Sequence, residues 1–395
     1  MSEQRDVLVL SGVRTAVGKY GGGLKEVALC DLAATVVRES VARSGVQPSE
    51  VGHVVFGNVL HTDVRDMYLS RVAAVRGGLP IETPAFNVNR LCGSGLQAIV
   101  SAAQAIKLGD VDVALAGGAE SMSRAPYWLP SLRWGKRMND GVAVDAMVGA
   151  LTDPFDNGHM AITAENIATD YQVSRADQDA LAVESHRRAA AAVESGYFTE
   201  QIVPVDVPTR KGVEQFVTDE HIRRGVTLAD LAKLRPAFTA DGTVTAGNAA
   251  GVNDAAAAVV LSDSAFAESR GLQPLGRLVA YSHAGVQPRI MGMGPVPAVR
   301  AVLERADLKI DEIDLFEVNE AFAVQALAVA RELGLPGDRT NPNGSGVSLG
   351  HPLGATGAIL TVKALYELRR TGGRYALVTM CIGGGQGIAA IFERM

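Results

Sequence analysis

Apolar and polar positions alternate in regular blocks through the N-terminal part of the chain. Three apolar runs have the pattern of buried strands: VLVLSG, HVVFGNV and VDVALAGG. Helical periodicity separates them at about residues 28–44, 66–78 and 93–108. Buried strands that alternate with helices are typical of an α/β domain with a largely buried sheet. The pattern therefore predicts an α/β fold.

The last third of the chain repeats this pattern. The run LKIDEIDLFEVNEAF corresponds to VQPSEVGHVVFGNV, and GRYALVTMCIGGGQG corresponds to DVDVALAGGAESM. Because both pairs keep the same order, they indicate an internal duplication whose period is a whole domain. We predict an N-terminal half at residues 1–120 and a C-terminal half at 271–395.

Residues 121–270, between the halves, have a different pattern. Irregular structure is indicated by Pro126, Trp128, Pro130 and Trp134. Ser174 followed by Asp177 predicts the start of an alanine-rich helix that ends near Gly196. The alanine run 255–258, followed by VVL, predicts a helix and then a strand that return to the N-terminal half. We expect an inserted loop region that acts as a lid or binding element.

Composition and charge exclude several classes of function. The chain has 395 residues, of which 47% are hydrophobic and 20% charged, enough for two or three domains. A net charge of -6 argues against general binding to nucleic acid or a membrane surface. No apolar run approaches a membrane span, and the N-terminus lacks the apolar region of a signal peptide. We therefore expect a cytoplasmic protein.

The cysteines point to chemistry rather than to structural cross-links. Cys30, Cys92 and Cys381 are odd in number, widely spaced and without a C-x-x-C pair, which disfavours disulfides and a zinc site. Cys92 stands at the start of a helix, where unpaired N–H groups favour thiolate over thiol. We expect Gly93 and Gly95 to let backbone or substrate approach the sulfur. A small buried cysteine that fills the core would explain this segment equally well.

Three further groups lie on turns of the C-terminal half. Asn319 follows the strand IDLFEV, His351 lies in VSLGHPLGATG, and Cys381 follows YALVTM. If the halves pack as pseudo-twofold mates, these turns converge with Cys92 at one end of the sheets. A histidine can then take a proton from a cysteine, while an asparagine and the backbone N–H of Gly383 stabilise an oxyanion. Taken singly, each could be a turn or core residue.

Other motifs do not have the context that their chemistry requires. The run GGGQG at 383–387 precedes a strand-like segment rather than a helix, so it does not predict a dinucleotide site. No phosphate-binding P-loop is present, and His159, His351 and the cysteines lack metal-ligand spacing. We expect no metal and no separate cofactor.

Together the motifs resemble the thiolase family. The resemblance rests on NVNRLCGSGLQA, EVNEAFA, NPNGSGVSLGHPLGATG and CIGGGQG, which stand in the family's order, and it extends through DNGHMAITAEN and RPAFTADGTVTAGNAAGVND. It covers the chain from about Arg5 to Glu393. It suggests the short-chain β-ketothiolase branch, similar to enzymes that supply 3-ketoacyl-CoA for polyhydroxyalkanoate synthesis. The fold it implies is a duplicated five-layered α-β-α-β-α core with an inserted loop domain, in a homo-oligomer, either a dimer or a tetramer.

The resemblance also implies roles for the reactive residues. Cys92 would be the acylated nucleophile, His351 its base, and Cys381 the group that exchanges a proton with the α-carbon of the second substrate. Asn319, through an ordered water, and His351 would form one oxyanion hole. The backbone N–H groups of Cys92 and Gly383 would form the other.

Substrate contacts are implied along the inserted region. Arg223 would lie near the nucleotide end of CoA, and the other implied binding residues are His159, Met160, Phe238, Ala246, Ala250, Met291 and Phe322. The family frequently has serine where this chain has Ala250 and Thr356, and methionine where it has Gln386. The missing hydroxyl at Ala250 puts a hydrogen bond to pantetheine in doubt.

The sequence thus predicts an acyltransferase, an acetyl-CoA C-acetyltransferase or C-acyltransferase. It would condense acetyl-CoA with acetyl-CoA or another short acyl-CoA and catalyse the reverse thiolysis, with CoA as substrate or product. The alternatives are a degradative thiolase for longer or dicarboxylic acyl chains and a non-catalytic CoA-binding protein. A ketoacyl synthase would carry one cysteine with two histidines, and a nicotinamide oxidoreductase would need a phosphate-binding turn.

Overall fold

The computed structural model describes residues 5–210 and 212–395. The strands are β1 Val7–Thr15, β2 Gly18–Lys19, β3 His53–Gly57, β4 Ala85–Val88, β5 Val113–Ser121, β6 Tyr127–Trp128, β7 Val144–Asp145, β8 Ile202–Val203, β9 Val205–Thr209, β10 Gly212–Phe216, β11 Asn253–Asp263, β12 Gly276–Gly285, β13 Leu315–Val318, β14 Tyr375–Ile382 and β15 Gln386–Glu393. The helices are α1 Leu29–Ser44, α2 Leu69–Arg76, α3 Ser94–Leu108, α4 Ala146–Ala150, α5 Met160–Asp170, α6 Arg175–Glu194, α7 Leu228–Ala232, α8 Ser264–Ser269, α9 Pro295–Ala306, α10 Ala323–Leu333, α11 Gly346–Leu349 and α12 Leu353–Thr371.

The main sheet is symmetric about its centre. Its strand order is β13-β14-β15-β12-β1-β11-β5-β3-β4. The central strands β1 and β12 pair antiparallel over Val7–Val9, and each has an antiparallel neighbour on its outer side, β11 and β15 respectively. Farther out, β3 is parallel to β5, just as β13 is parallel to β14. This mirrored order confirms the internal duplication.

Helices cover both faces of the sheet and also fill the space between its two halves. The apolar sides of α3 and α12 meet strands of both halves in one cluster, which includes Ile99 and Leu360. Helices α1 and α2 cover the outer face of the N-terminal half, and α5, α9 and α10 that of the C-terminal half. The resulting layers are α-β-α-β-α, as the sequence predicts.

Glycines bring the two central helices into close contact. A Cβ at Gly357 would lie 2.3 Å from the Leu96 nitrogen, and one at Gly95 would lie 2.8 Å from the Ala358 nitrogen. A Cβ at Gly93 would meet the side chain of Ile382 at 2.6 Å. Gly95 therefore lets the backbone of α12 come close, one of the two approaches expected of these glycines, and Gly93 makes room for the Ile382 side chain.

The inserted region combines the helices α4–α7, of which α6 is the longest with 20 residues, with two small two-stranded sheets. The Ser174 hydroxyl accepts a hydrogen bond from the Asp177 backbone at 3.1 Å, which confirms the predicted helix start. The alanine run 255–258 lies wholly inside β11, so the predicted helix there is wrong. This strand is buried between β1 and β5, and close packing there favours small side chains over helical propensity. Within the described residues, no helix is long and apolar enough to cross a membrane.

Candidate active site

A strained turn presents Cys92 at the start of α3. The residue before it, Leu91, has φ 45°, a left-handed value that is uncommon for a residue with a side chain. The Leu91 nitrogen donates to Asn89 Oδ1 at 2.9 Å, and Ser94 Oγ donates to the Leu91 carbonyl at 2.7 Å. These two hydrogen bonds hold the turn in its left-handed conformation. Backbone strain of the kind seen at Leu91 is concentrated at functional sites.

The carboxyl ends of two neighbouring parallel strands place Asn319 and Cys381 together. Strand β13 pairs with β14 so that Val318 lies opposite Thr379, and the Asn319 nitrogen donates to the Thr379 carbonyl at 3.0 Å. Cys381 lies two residues farther along β14. Both side chains are fully buried. The turns of the C-terminal half therefore converge as the sequence predicts.

His351 follows α11 and is held from several sides. Its backbone nitrogen donates to Asn253 Oδ1 at 3.0 Å, and its Nδ1 lies 2.7 Å from Thr356 Oγ1. Asn319 Nδ2 is 3.4 Å from Nε2 and 3.5 Å from Nδ1, so it lies over the imidazole. Burial lowers the pKa of His351 to about 4. The imidazole is therefore neutral at pH 7 and can act as a base.

Most of the predicted site residues surround a cavity of about 270 Å³. Nine of the predicted site residues line it: Cys92, His159, Met160, Phe238, Ala250, Met291, Phe322, His351 and Gly383. Asn319, Cys381, Arg223 and Ala246 are not part of this lining. Helix α4 adds Met147, and the turn after it adds Leu151. The cavity wall is largely apolar, as expected for a site that takes a thioester and its acyl chain.

Burial has the largest effect on the pKa of both Cys92 and Cys381. It raises the pKa of the Cys92 thiol to about 11, although the backbone N–H groups of Gly383 and of Cys92 itself favour the thiolate. The pKa of Cys381 is also raised, chiefly by burial and further by the nearby Cys92. The N–H groups at the helix start thus favour the thiolate, as expected, but desolvation outweighs them. Both cysteines are thiols at neutral pH.

The start of α5 forms one side of the cavity. His159 Nδ1 accepts a hydrogen bond from the Ala161 nitrogen at 3.2 Å and so caps this helix. The His159 ring also stacks on Phe238, with the ring centroids 4.6 Å apart. Met291 and Phe322 are buried on the C-terminal side of the same cavity. These residues share the cavity wall with Cys92.

Arg223 and Ala246 lie together outside the cavity. Arg223 Nη2 donates to the Ala246 carbonyl at 3.1 Å, and both residues are exposed. The ring of His221, two residues before Arg223, packs on Gly251, where a Cβ would lie 2.2 Å from the imidazole. Gly251 and Ala250 line the cavity. Arg223 therefore lies outside the wall that these residues form.

Two buried polar residues that sequence reasoning missed support the site. Glu120 accepts hydrogen bonds from the Leu60 nitrogen at 3.0 Å and from the Gly354 nitrogen at 2.7 Å, and so ties α12 to the N-terminal half. Burial raises its pKa to about 7. Asn253 holds the backbone of His351. The signal that could have revealed them is a polar pair at the end of an otherwise apolar strand, Glu120 with Ser121 and Asn253 with Asp254.

Comparisons with known proteins agree with this architecture over the whole chain. Residues 7–265 match the family model "Thiolase, N-terminal domain", and residues 272–394 match "Thiolase, C-terminal domain". The chain is 64% identical to beta-ketothiolase BktB of Cupriavidus necator over 99% of this chain and all of that protein. The structure matches acetyl-CoA acetyltransferase of Bacillus anthracis with TM-score 0.97 and 45% identity, covering 99% of both chains.

A second solved structure, human mitochondrial 3-ketoacyl-CoA thiolase in complex with CoA, matches with TM-score 0.96 and 44% identity. The match covers 99% of this chain and 98% of that chain. On these matches the chain belongs to the thiolase family.

Proposed function

We propose that this protein is a β-ketothiolase that joins acetyl-CoA to acetyl-CoA or another short acyl-CoA, and that also cleaves 3-ketoacyl-CoA with CoA. The observation that carries the proposal is the convergence of two cysteines, a neutral histidine and an asparagine at one apolar cavity. Cys92, His351 and Gly383 line the cavity, while Asn319 and Cys381 lie at adjoining strand ends. The likeness to the Cupriavidus enzyme and the acetyltransferases supports this reading.

In the first half-reaction Cys92 takes the acyl group. Its sulfur attacks the thioester carbonyl while its proton moves to His351, and the backbone N–H groups of Cys92 and Gly383 stabilise the oxyanion. The bond from the carbonyl carbon to the CoA sulfur then breaks. Cys381 protonates the departing CoA thiolate and is left as a thiolate itself.

In the second half-reaction Cys381 acts as the base. Its raised pKa makes its thiolate a strong base, which suits the weakly acidic α-carbon of acetyl-CoA. Asn319 and the protonated His351 stabilise the enolate that forms, and the enolate carbon attacks the acyl group on Cys92. The Cys92 thiolate leaves and recovers its proton from His351. The Cys92 proton thus returns to Cys92, while Cys381 gives its own proton to the released CoA and regains one from the α-carbon of acetyl-CoA. The products are 3-ketoacyl-CoA and CoA.

The cavity favours short acyl chains. Its volume of about 270 Å³ lies at the small end for ligand pockets, and the thioester must share it. Met291 is buried in its wall, where a flexible thioether can close the acyl end yet yield slightly. We expect efficiency to fall beyond about six acyl carbons, because each added methylene changes discrimination by ~1 to 3 kcal/mol.

An exposed apolar patch around β6 favours association with further copies of this chain. Around β6 and the loop after it lie exposed Trp128, Leu132, Trp134 and Met138, and Trp134 is 92% exposed. Contiguous exposed apolar side chains of this kind mark protein interfaces. We therefore propose a homo-oligomer, which sedimentation in solution would test.

The decisive experiment is kcat/KM for CoA-dependent thiolysis across a series of 3-ketoacyl-CoA lengths, together with CoA release during condensation. Cys92→Ala should abolish both directions. Cys30→Ala is the matched control, since Cys30 is a buried free cysteine that contacts Asp66 and does not line the cavity. Absence of thiolysis in the folded wild-type protein at every chain length would refute the function. Equal efficiency on long chains would refute only the proposed size limit.

A further inference from the structure

The side chain that contacts His351 most closely is Thr356. Thr356 Oγ1 lies 2.7 Å from His351 Nδ1 and 3.0 Å from the carbonyl oxygen of Pro352. Thr356 is 3% exposed and lies in the first turn of α12. It contacts the imidazole but, unlike His351, is not part of the cavity lining.

The hydrogen-bonding capacity of these groups decides where the protons lie. A carbonyl oxygen only accepts, so the contact with Pro352 uses the single hydroxyl proton of Thr356. A threonine in a helix commonly makes this bond to the carbonyl four residues earlier. The Thr356 oxygen can then accept from the ring, which requires a proton on His351 Nδ1. In a neutral imidazole that leaves Nε2 unprotonated.

The other ring contact does not decide between the two nitrogens. Asn319 Nδ2 lies 3.4 Å from Nε2 and 3.5 Å from Nδ1 of His351, nearly equidistant from both. The amide nitrogen only donates, so its approach to Nε2 is compatible with an unprotonated Nε2. The short contact with Thr356 is therefore the one that selects the tautomer.

We infer that Thr356 is a positioning residue that holds His351 in the tautomer with Nδ1 protonated, so that Nε2 is free to accept the proton of Cys92. The inference rests on the proposed thiolase chemistry, in which His351 must receive a proton at the start of each cycle. The other tautomer would present an N–H to the cavity and could not take the proton at that nitrogen. Which nitrogen of a catalytic histidine carries the proton is commonly set by the partner of the other nitrogen.

The start of α12 is rigid enough to hold this geometry. A Cβ at Gly354 would meet Glu120 Oε2 at 2.8 Å, and a Cβ at Gly357 would meet the Leu96 nitrogen at 2.3 Å. The helix therefore sits directly against the N-terminal half. Thr356 is also β-branched, which restricts its χ1 to the rotamers that keep the hydroxyl near the backbone carbonyl. Both features hold the Thr356 hydroxyl close to the ring.

The chain provides a matched control for the experiment. Thr361 lies on the same helix, is fully buried, and its hydroxyl donates to the Gly357 carbonyl at 2.8 Å. It makes the same type of bond within the helix as Thr356 but has no contact with a histidine. Thr356→Val and Thr361→Val therefore remove equivalent hydroxyl groups, and only the first should change His351. Thr356→Ser keeps the hydroxyl and should restore function.

Two measurements test the inference. The first is the rate at which acyl-CoA acylates Cys92, measured by intact mass. In Thr356→Val this rate should fall about 10- to 100-fold, the loss typical when the partner that orients a histidine is removed. Thr361→Val and Thr356→Ser should stay within about threefold of wild type. The second is multiple-bond proton–nitrogen NMR of histidine-labelled protein, which identifies the tautomer of His351 without reference to activity.

The NMR spectrum should show Nδ1 protonated in wild type and in Thr356→Ser, and a shifted tautomer balance in Thr356→Val. A wild-type spectrum with the proton on Nε2 would overturn the inference. So would equal losses of acylation in Thr356→Val and Thr361→Val, because those losses would report only the stability of the helix. Failure of the proposed function would appear separately, as an inactive wild type whose tautomer is still measurable.

Discussion

The resting state of Cys92 can be tested through the rate at which its thiol is alkylated. Burial raises the pKa of Cys92 to about 11 and lowers that of His351 to about 4. From pH 5 to 10 the pair is therefore a neutral thiol beside a neutral imidazole. We predict that His351 removes the proton only while sulfur is forming its new bond, rather than beforehand.

The two pKa values give the size of the effect. Moving the proton from Cys92 to His351 before attack spans a difference of about 7 in pKa, which is roughly 10 kcal/mol at about 1.4 kcal/mol for each pKa unit. A turnover of about 10 per second corresponds to a barrier of about 16 kcal/mol. Before the attraction between the two new charges is counted, separating the proton in advance would therefore take up a large share of that barrier. Proton transfer concerted with attack avoids most of this cost.

The assay is alkylation by iodoacetamide, with the adduct on Cys92 quantified by intact mass. In wild type the rate should be nearly constant from pH 5 to 10 and slower in heavy water, because a proton is moving in the rate-limiting step. In His351→Ala only the thiolate reacts, so the rate should rise tenfold per pH unit from a thiolate fraction of about one in 10,000 at pH 7. Cys92→Ala measures labelling at other cysteines.

A different pH dependence would refute this reasoning. If wild-type alkylation rises with a midpoint near pH 7 or below, Cys92 is a preformed thiolate, and the start of α3 outweighs desolvation. If His351→Ala keeps a flat profile, another group takes the proton. Either result would require a new account of the first half-reaction.

Three further predictions follow from the same geometry. Cys381→Ala should still acquire an acyl group on Cys92 by intact mass while condensation falls about 100- to 10,000-fold, and a stable label on Cys381 would reverse these roles. Arg223→Ala should raise KM and leave kcat unchanged, since the contact with the nucleotide end of CoA that the family resemblance implies would serve ground and transition states equally. A loss confined to kcat would contradict it. Thermal stability should decrease as the pH is lowered from 6.5 to 4. Burial lowers the pKa of His351 to about 4 and of His186 to about 3, so over this range the unfolded chain takes up protons that the folded chain does not. His186→Asn should flatten that decline in a melting series, and an unchanged slope would exclude His186 as a source.

The pattern of the sequence was sufficient to predict that Asn319 and Cys381 lie close together at one end of the sheet. Asn319 and Cys381 each follow an apolar run, and neighbouring parallel strands end at the same edge of a sheet. The duplication of two strand-and-turn pairs was enough to predict two packed halves. These inferences succeed because they depend on local periodicity and on the order of elements, which the sequence displays directly.

Other features depend on residues that are distant in the chain. The alanine run 255–258 has high helical propensity, yet in β11 it faces glycines of β5, with Ala257 opposite Gly118. Gly95 follows Cys92 closely in sequence, but it packs against Ala358. The pKa of Cys92 is set by burial among elements of both halves. No periodicity within one segment contains that information.

The duplication explains why the reaction lies where it does. Cys92 precedes α3 of the N-terminal half and His351 precedes α12 of the C-terminal half, and these helices form the central layer. Their first turns are in contact at Gly95 and Gly357, where a Cβ on either residue would clash with the backbone of the other helix. The spacing between nucleophile and base is therefore fixed by the contact of two core helices rather than by mobile loops. Since effective general-base catalysis requires such fixed geometry, the inserted region is free to bind and select the acyl-CoA without setting the chemistry itself.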